Sequence, residues 1–434
     1  MPSALLIRLR PRGPWRYGPA DGAHDGVDQL YRSDRLFSAV TLAMQKLGYL
    51  EEWLDSTARA SQSGIAFSSF FPFQGDTLFA IPPASIWPPP TAQVTAPNPV
   101  FLAKIRWKSV SFVPLSVIDT LLTGGSILAE HWLPDSESSC LLRRDRPSAP
   151  PMRVAIRQTV RVDRLTRKAH APAAAAAVEF EPNAGLWTLA RFKNEAIEDT
   201  WGERLKGAFR LLADSGFGGR RSSGWGQSHE PEFSRGEWPG FVFPKLARAI
   251  RSSNGSSRYW LLSLFVPGAQ DSVDWRAGNY QLVTRAGRIE NGAGSGAEKK
   301  SLRMIAEGSV LAAAGEPAGA AVDVAPDHFA HPVYRAGIAL ALELPEIAEA
   351  APVEEPQTEE AVIEPCEPGI ETSERERANP DQTAIVADEP GTPSQPEEFG
   401  NGAREPEQPG SDPEPPGATE EQPATTHEEG DDAI

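Results

Sequence analysis

Cysteine is nearly absent: the 434 residues include two, Cys140 and Cys366. Two distant thiols exclude a disulfide framework and a four-thiolate zinc site within one chain. Long apolar runs are missing as well, and no stretch approaches the roughly 18 residues of a membrane-spanning helix. The opening MPSALLIRLRPRGPW carries no charged segment followed by an apolar run and a cleavage site. A soluble, cytoplasmic protein with no membrane partner is therefore expected. HExxH, GxSxG, GxGxxG and clustered carboxylate motifs are all lacking. Of the seven histidines, His328 and His331 are close in sequence, but two loop histidines make a poor metal site. No metal and no cofactor is expected.

Aromatic residues all but vanish near the end. From residue 346 to 434 the sole aromatic is Phe399, and 26 acidic residues face three arginines, a net charge of −23. Residues 1–345 consequently carry about +6, although the whole chain stands at −17. A tail rich in Glu and Pro cannot bury enough apolar surface to offset the entropy of ordering, so disorder is expected over 346–434. It serves as a solubilising extension or as an acidic mimic of nucleic acid that shields a basic surface. The split charge keeps nucleic acid open as a ligand of the body.

The body opens on ALLIRLR, whose alternation predicts a strand with Leu5, Ile7 and Leu9 inward and Arg8 and Arg10 on a cationic, partly exposed face. A Gly/Pro-rich loop follows. Then YRSDRLFSAVTLAMQKLG predicts a helix, with Ser33 or Asp34 as cap and Leu36, Phe37, Val40, Met44 and Leu47 as its apolar stripe. Gly48 fits the position after its C-terminus. Strand, loop and helix in this order can open a ferredoxin-like, RNA-recognition-type domain. Residues 82–99 hold too much proline for regular structure. Residues 143–170 are the most basic stretch and predict a hairpin or extended arm. A second long helix is expected over Thr200–Ala213, with Thr200 and Glu203 at capping-box spacing. YWLLSLFV (259–266) predicts a strand that starts a second module.

The second helix runs straight into SGFGGRRSSGWGQ (215–227), where five glycines, two arginines and three serines share thirteen residues with Phe217 and Trp225. Glycine lets another backbone approach closely, and arginine offers a planar fork to phosphate. Trp225 stands where a P-loop would need lysine, so nucleotide hydrolysis drops out here. A helix C-terminus repels anions, so phosphate binding must come from loop N–H groups and Arg220 and Arg221. One of Phe217 and Trp225 belongs to the core, with Phe217 favoured, and the other is left for base stacking.

Several segments together resemble one family. ALLIRLRPRG, YRSDRLFSAV, RVDRLTRKA, SGFGGRRSSGWGQ, KKSLRMIAEGSVL and HPVYRAGIAL occur in the order found in the RAMP superfamily of CRISPR effector proteins. Within it they are similar to the subunit that caps the 5′ end of the guide RNA in type III-A (Csm) complexes. The likeness spans about residues 1–345. It implies an α+β protein of two ferredoxin-like domains with insertions, at 1–238 and 239–345, followed by the acidic tail. It implies that Gly216, Gly218, Gly219, Arg220, Arg221, Ser222, Ser223, Gly224, Trp225 and Gly226 touch the repeat-derived 5′ tag, together with Ser33 and Arg35. Arg161, Arg164 and Lys168 would sit on a thumb-like extension at the tag–spacer junction. It further implies docking onto a large polymerase-like subunit and a neighbouring backbone subunit, without direct contact to DNA and without catalysis. The acidic tail departs from the family pattern.

Three alternatives stay open. The chain is a repeat-RNA endonuclease of the same superfamily, with His24 as general base on an RNA 2′-hydroxyl. It is the equivalent cap of another CRISPR subtype. Or it is a scaffold whose loop binds no nucleic acid.

Overall fold

In the computed structural model the described residues are 2–18, 26–90, 93–95, 107–145, 149–160, 162–163, 165–169, 173–252, 257–289 and 296–345. The chain runs through β1 (Ser3–Leu9), α1 (Ser33–Lys46), α2 (Leu50–Ser56), β2 (Ile65–Phe67), β3 (Phe71–Gln74), β4 (Thr77–Ala80), β5 (Val94–Thr95), β6 (Val113–Pro114) and α3 (Leu115–Leu122). It continues through β7 (Ile127–Leu128), β8 (Trp132–Pro134), β9 (Leu141–Arg143), β10 (Met152–Thr159), β11 (Ala173–Phe180), β12 (Ala184–Phe192), α4 (Glu195–Ser215), β13 (Glu232–Glu237) and α5 (Pro244–Ser252). The last part holds β14 (Arg258–Leu261), β15 (Val273–Asn279), β16 (Leu282–Arg285), β17 (Leu302–Ile305), β18 (Val310–Ala313), β19 (Gly319–Asp323), β20 (Tyr334–Ile338) and β21 (Ala341–Glu343).

The first sheet has the order β13-β1-β12-β3-β4-β6, with β2 also on β12. Its heart, β13-β1-β12-β3, is antiparallel throughout. With α1 after β1 and α4 after β12, this is the ferredoxin-like arrangement, strand order 4-1-3-2. The helices form where the stripes place them, except that Leu47, expected in the α1 stripe, lies past the helix end and is exposed. Leu36, Phe37, Val40, Ala43 and Met44 of α1 are buried, as are Trp201, Leu205, Ala208, Phe209 and Leu212 of α4. Gly48 has φ +83° just past α1, the left-handed stop glycine supplies without strain.

Two local expectations are corrected. The residue before α1 is Arg32, and neither Ser33 nor Asp34 caps the helix; both side chains are drawn into tertiary contacts. The second long helix begins at Glu195 rather than Thr200, because the Asn194 side chain accepts from Ile197 N–H at 3.0 Å and starts it earlier. Thr200 bonds back to Ala196 O inside the helix. The cationic face of β1 is partly exposed, as expected, with Arg8 and Arg10 half-buried. β1 is an interior strand with β12 and β13 on its two edges, and Arg8 and Arg10 lie over the Phe73 ring at 5.5 and 5.4 Å.

The basic stretch supplies one strand of a hairpin, β10, whose partner β11 comes from the alanine-rich segment beyond it, from Met152↔Phe180 to Thr159↔Ala173. The second module orders its sheet β15-β18-β14-β21, again antiparallel and again 4-1-3-2 by position in the chain. Its described residues after 257 hold no helix. Hairpins β16–β17 and β19–β20 are inserted instead, and β20 packs against α1. The core runs without a break from Leu36 and Phe209 through Phe243 to Trp260, Leu262 and Leu340.

The N-terminal turn of α1 joins the modules. Ser33 N–H donates to Ser69 Oγ (2.8 Å), and Leu264 N–H donates to Ser33 Oγ (3.0 Å). Arg32 pairs with the buried Glu307, which also accepts from Ser69 Oγ. Asp34, 1 % exposed, takes Arg285 on both oxygens at 3.1 Å and Arg335 Nη1 at 2.6 Å. Burial alone would raise the Asp34 carboxyl, but the charges of Arg285 and Arg335 and the Arg285 hydrogen bond together hold it below the usual carboxylate range.

A depressed folded-state pKa contributes stability above the unfolded carboxylate value that is lost as pH falls through the folded one. Asp34→Asn should thus cost about 3–5 kcal/mol at neutral pH, as expected for a broken buried ion pair. The gap to wild type should narrow below about pH 4. Urea titrations of both proteins across pH measure this.

Candidate nucleic-acid interface

The Gly-rich loop leaves α4 at Gly216, whose N–H still reaches Leu212 O (2.8 Å), and lays itself on the segment that follows β1. Gly219 N–H donates to Arg16 O at 2.7 Å, Gly226 N–H to Pro14 O at 3.0 Å and Arg12 N–H to Gln227 O at 3.0 Å. The approach is so close that a Cβ on Gly218 would stand 2.3 Å from Arg16 O, and one on Gly226 2.0 Å from Phe217 O. Both residues also have positive φ, +75° and +80°. These glycines, with Gly216, serve the chain's own packing. Gly219 and Gly224 are exposed, and a Cβ on either meets nothing closer than 3.6 Å.

Neither loop aromatic is open to a base. Phe217 is 1 % exposed and stacks on Trp15 with centroids 5.1 Å apart, inside a cluster with Tyr31, Phe70 and Phe209. The core placement of Phe217 is met. Trp225 is buried too, against Ala175 and Ala177 of β11, with Arg220 over its ring at 5.3 Å. Arg220 adopts left-handed φ +58° and donates Nη1 to Thr159 Oγ1 at 3.3 Å, which ties the loop to the β10–β11 hairpin. The exposed crest is Gly219, Ser222, Ser223 and Gly224, flanked by half-buried Arg220 and Arg221; a 3₁₀ turn spans Arg221–Ser223.

Beside the crest opens a cavity of about 820 Å³. One wall is Gly216–Gly219 and Arg221; a second is the α1 face with Arg35, Ser38, Leu42 and Lys46. The third comes from the other module: Ala286, Gly287, Arg288, Lys299 and Ser301, with Asp34 and Arg335 below. Six basic side chains line it against two carboxylates, one of which, Glu298, pairs with Arg288 at 3.2 Å. Arg35 donates to Gly18 O and pairs with Asp28 at 3.3 Å. Burial, then repulsion from Arg285, push its guanidinium below the usual value. The surplus positive charge in a concave, partly desolvated site suits phosphates.

Of the residues singled out in the sequence, the structure gathers Gly216, Gly218, Gly219, Arg221 and Arg35 at this cavity; Arg220, Ser222, Ser223, Gly224, Trp225 and Gly226 are not part of its lining. Ser33 is buried, with its hydroxyl occupied by Leu264 N–H. Lys168 is exposed at the tip of the β10–β11 arm, away from the cavity lining, in a turn held by the Asp163 carboxylate. Arg161, Arg164 and His24 lie outside the described residues. The cavity also includes Lys46, Arg288, Lys299 and Arg335, which the sequence analysis did not assign to a site. Lys299 and Arg335 belong to the segments KKSLRMIAEGSVL and HPVYRAGIAL, whose resemblance was the available signal. Among the described residues no group of three or more His, Cys, Asp or Glu is placed to hold a metal, and no helix is long and apolar enough to cross a membrane.

The glycine geometry has a measurable consequence. Gly218→Ala should unseat the loop and cost several kcal/mol, because main-chain oxygen cannot move aside. Gly48→Ala, at φ +83° in open space, should cost about 1 kcal/mol from backbone strain alone. Thermal unfolding of the two variants gives the comparison.

Residues 254–344 match the family of the CRISPR Csm4 C-terminal domain. Among curated proteins none matches the sequence. Among solved structures, the fold is similar to one described as the Csm3-Csm4 subcomplex in the type III-A CRISPR-Cas interference complex. The identity is 15%, with 79% of this chain and 99% of that one covered, at a TM-score of 0.51. A Csm1-Csm4 cassette in complex with cA4 is similar at 18% identity, over 79% of this chain and 98% of that one, with a TM-score of 0.48. The chain thus joins a body of two 4-1-3-2 sheets to a region, residues 254–344, that is similar to the CRISPR Csm4 C-terminal domain.

Proposed function

We propose that the chain is a non-catalytic RNA-binding subunit of a type III-A CRISPR interference ribonucleoprotein, working in the cytoplasm in antiviral defence. It holds the repeat-derived 5′ tag of the guide RNA across the crest of the Gly-rich loop and the cavity beside it. Residues 1–238 supply the loop and the thumb-like arm, and 239–345 supply the opposite wall. The Csm4 C-terminal domain is the observation that carries this proposal. The basic cavity at the junction of the two modules supports it independently, because a subunit serving every guide must bind a constant tag by phosphates and shape.

Two protein neighbours follow. A solved relative was determined as a Csm3-Csm4 subcomplex, and a backbone subunit of that kind is proposed as one partner. The resemblance of the sequence segments supplies the other, the large polymerase-like subunit, and the chain bridges the two.

With the tag on the loop, Arg221→Ala should weaken binding of single-stranded RNA about tenfold at low salt. It should also reduce the slope of log affinity against log salt by about one, the signature of a lost phosphate contact. Filter binding across a salt series tests it, and unchanged affinity and slope would remove Arg221 from the RNA site. His24→Ala, assayed for repeat-RNA cleavage, separates the cap from the endonuclease: a cap has no cleavage to lose.

A further inference from the structure

Asp34 is one of two carboxylates in the lining of a cavity suited to anions, and unlike Glu298 it is paired with arginines below the lining rather than on its rim. It cannot serve RNA by touching it, since like charges repel. What it touches is two arginines of the other module. Arg285 ends β16 and binds both carboxylate oxygens; Arg335, on β20, gives Nη1 to Asp34 and Nη2 to Ala286 O at 3.1 Å. Ala286 leads into Gly287 and Arg288, which wall the cavity. Gly287 O accepts from Lys299 N–H at 2.8 Å, so the returning strand is carried along. One carboxylate on α1 thus reaches, through one guanidinium, the backbone that presents Arg288 and Lys299.

We propose that Asp34 is a positioning residue for the nucleic-acid cavity: through Arg335 it fixes the Ala286–Arg288 wall, and Lys299 with it, against helix α1. The proposal rests on the assignment of the cavity to RNA made above and adds to it a residue that contacts no RNA. Arg335 is 6 % exposed, and among the described residues its Nε has no hydrogen-bond partner, so Asp34 and Ala286 O orient the group. The charge balance points the same way. Asp34 faces Arg285 and Arg335, and Arg35 is adjacent, so the cluster keeps a surplus of positive charge at the cavity floor while Asp34 lets two arginines remain enclosed.

Asp34→Asn in the full chain separates positioning from plain electrostatics by the sign of the effect. Removing a negative charge from a basic cavity would by itself tighten RNA. A loosened wall weakens it, by about fivefold for coupling of this kind. Binding of a mixed-sequence single-stranded RNA gives the affinity. Hydrogen exchange read by mass spectrometry gives the wall, with the largest acceleration expected in the peptides holding Gly287 and Lys299 and a smaller one, set by global stability, across β1 and β12.

Arg335→Lys is the second variant. It keeps the charge opposite Asp34 and leaves Arg285 paired, but loses the arm to Ala286 O; it should show the same exchange pattern and the same direction in affinity. Tighter RNA binding by Asp34→Asn, or unchanged exchange at the wall in both variants, overturns the proposal. A wild-type chain that binds no RNA, with the exchange changes present, overturns the RNA assignment instead and still upholds the hold of Asp34 on the wall.

Discussion

The architecture depends on one close approach: the Gly-rich loop lying directly on the chain that leaves β1. Gly218 against Arg16 O and Gly226 against Phe217 O leave no room for a side chain. The stack of Phe217 on Trp15 seals the contact from inside. Because the loop is seated by its own backbone, its outer side is free to present Gly219, Ser222, Ser223 and Gly224 between two arginines. The glycines therefore act at one remove. They let the loop meet the protein so closely that its exposed crest has a fixed shape.

The electrostatics are arranged in two layers. Below the cavity, Asp34, Glu307, Arg32, Arg285 and Arg335 form ion pairs that join the modules and are largely satisfied within the protein. Around its rim stand Arg35, Lys46, Arg221, Arg288 and Lys299, where positive charge exceeds negative. Burying the first layer requires close partners, since an isolated enclosed charge is costly. The rim stays beside solvent, where charge attracts a polyanion and salt weakens the attraction. Fold and proposed ligand thus use the same residue types at different depths.

Features set by local pattern were legible in the sequence. The apolar stripes of α1 and α4 and the stop at Gly48 follow from neighbours a few residues away, whereas Phe217 is buried by Trp15, Tyr31 and Phe70, far along the chain. Features set by distant partners were not. Asp34 reads as a helix cap because an acidic residue at a helix start usually is one; its actual partners stand 251 and 301 residues further along. Trp225 looked available for stacking, yet β11 covers it. The absence of helices among the described residues after 257 was equally hidden, since short β-branched and alanine-rich runs do not distinguish an inserted hairpin from a covering helix. The cavity itself joins segments from both modules, so its residues could be suspected from resemblance but not assembled.

The central claim is that this surface holds the constant 5′ end of a guide RNA. Sequencing the RNA retained when the full chain is co-expressed with its proposed partner subunits and purified at high salt tests it most directly. The account predicts RNAs that share one short 5′ sequence and then diverge. No retained RNA, or RNAs without a common 5′ end, would contradict it.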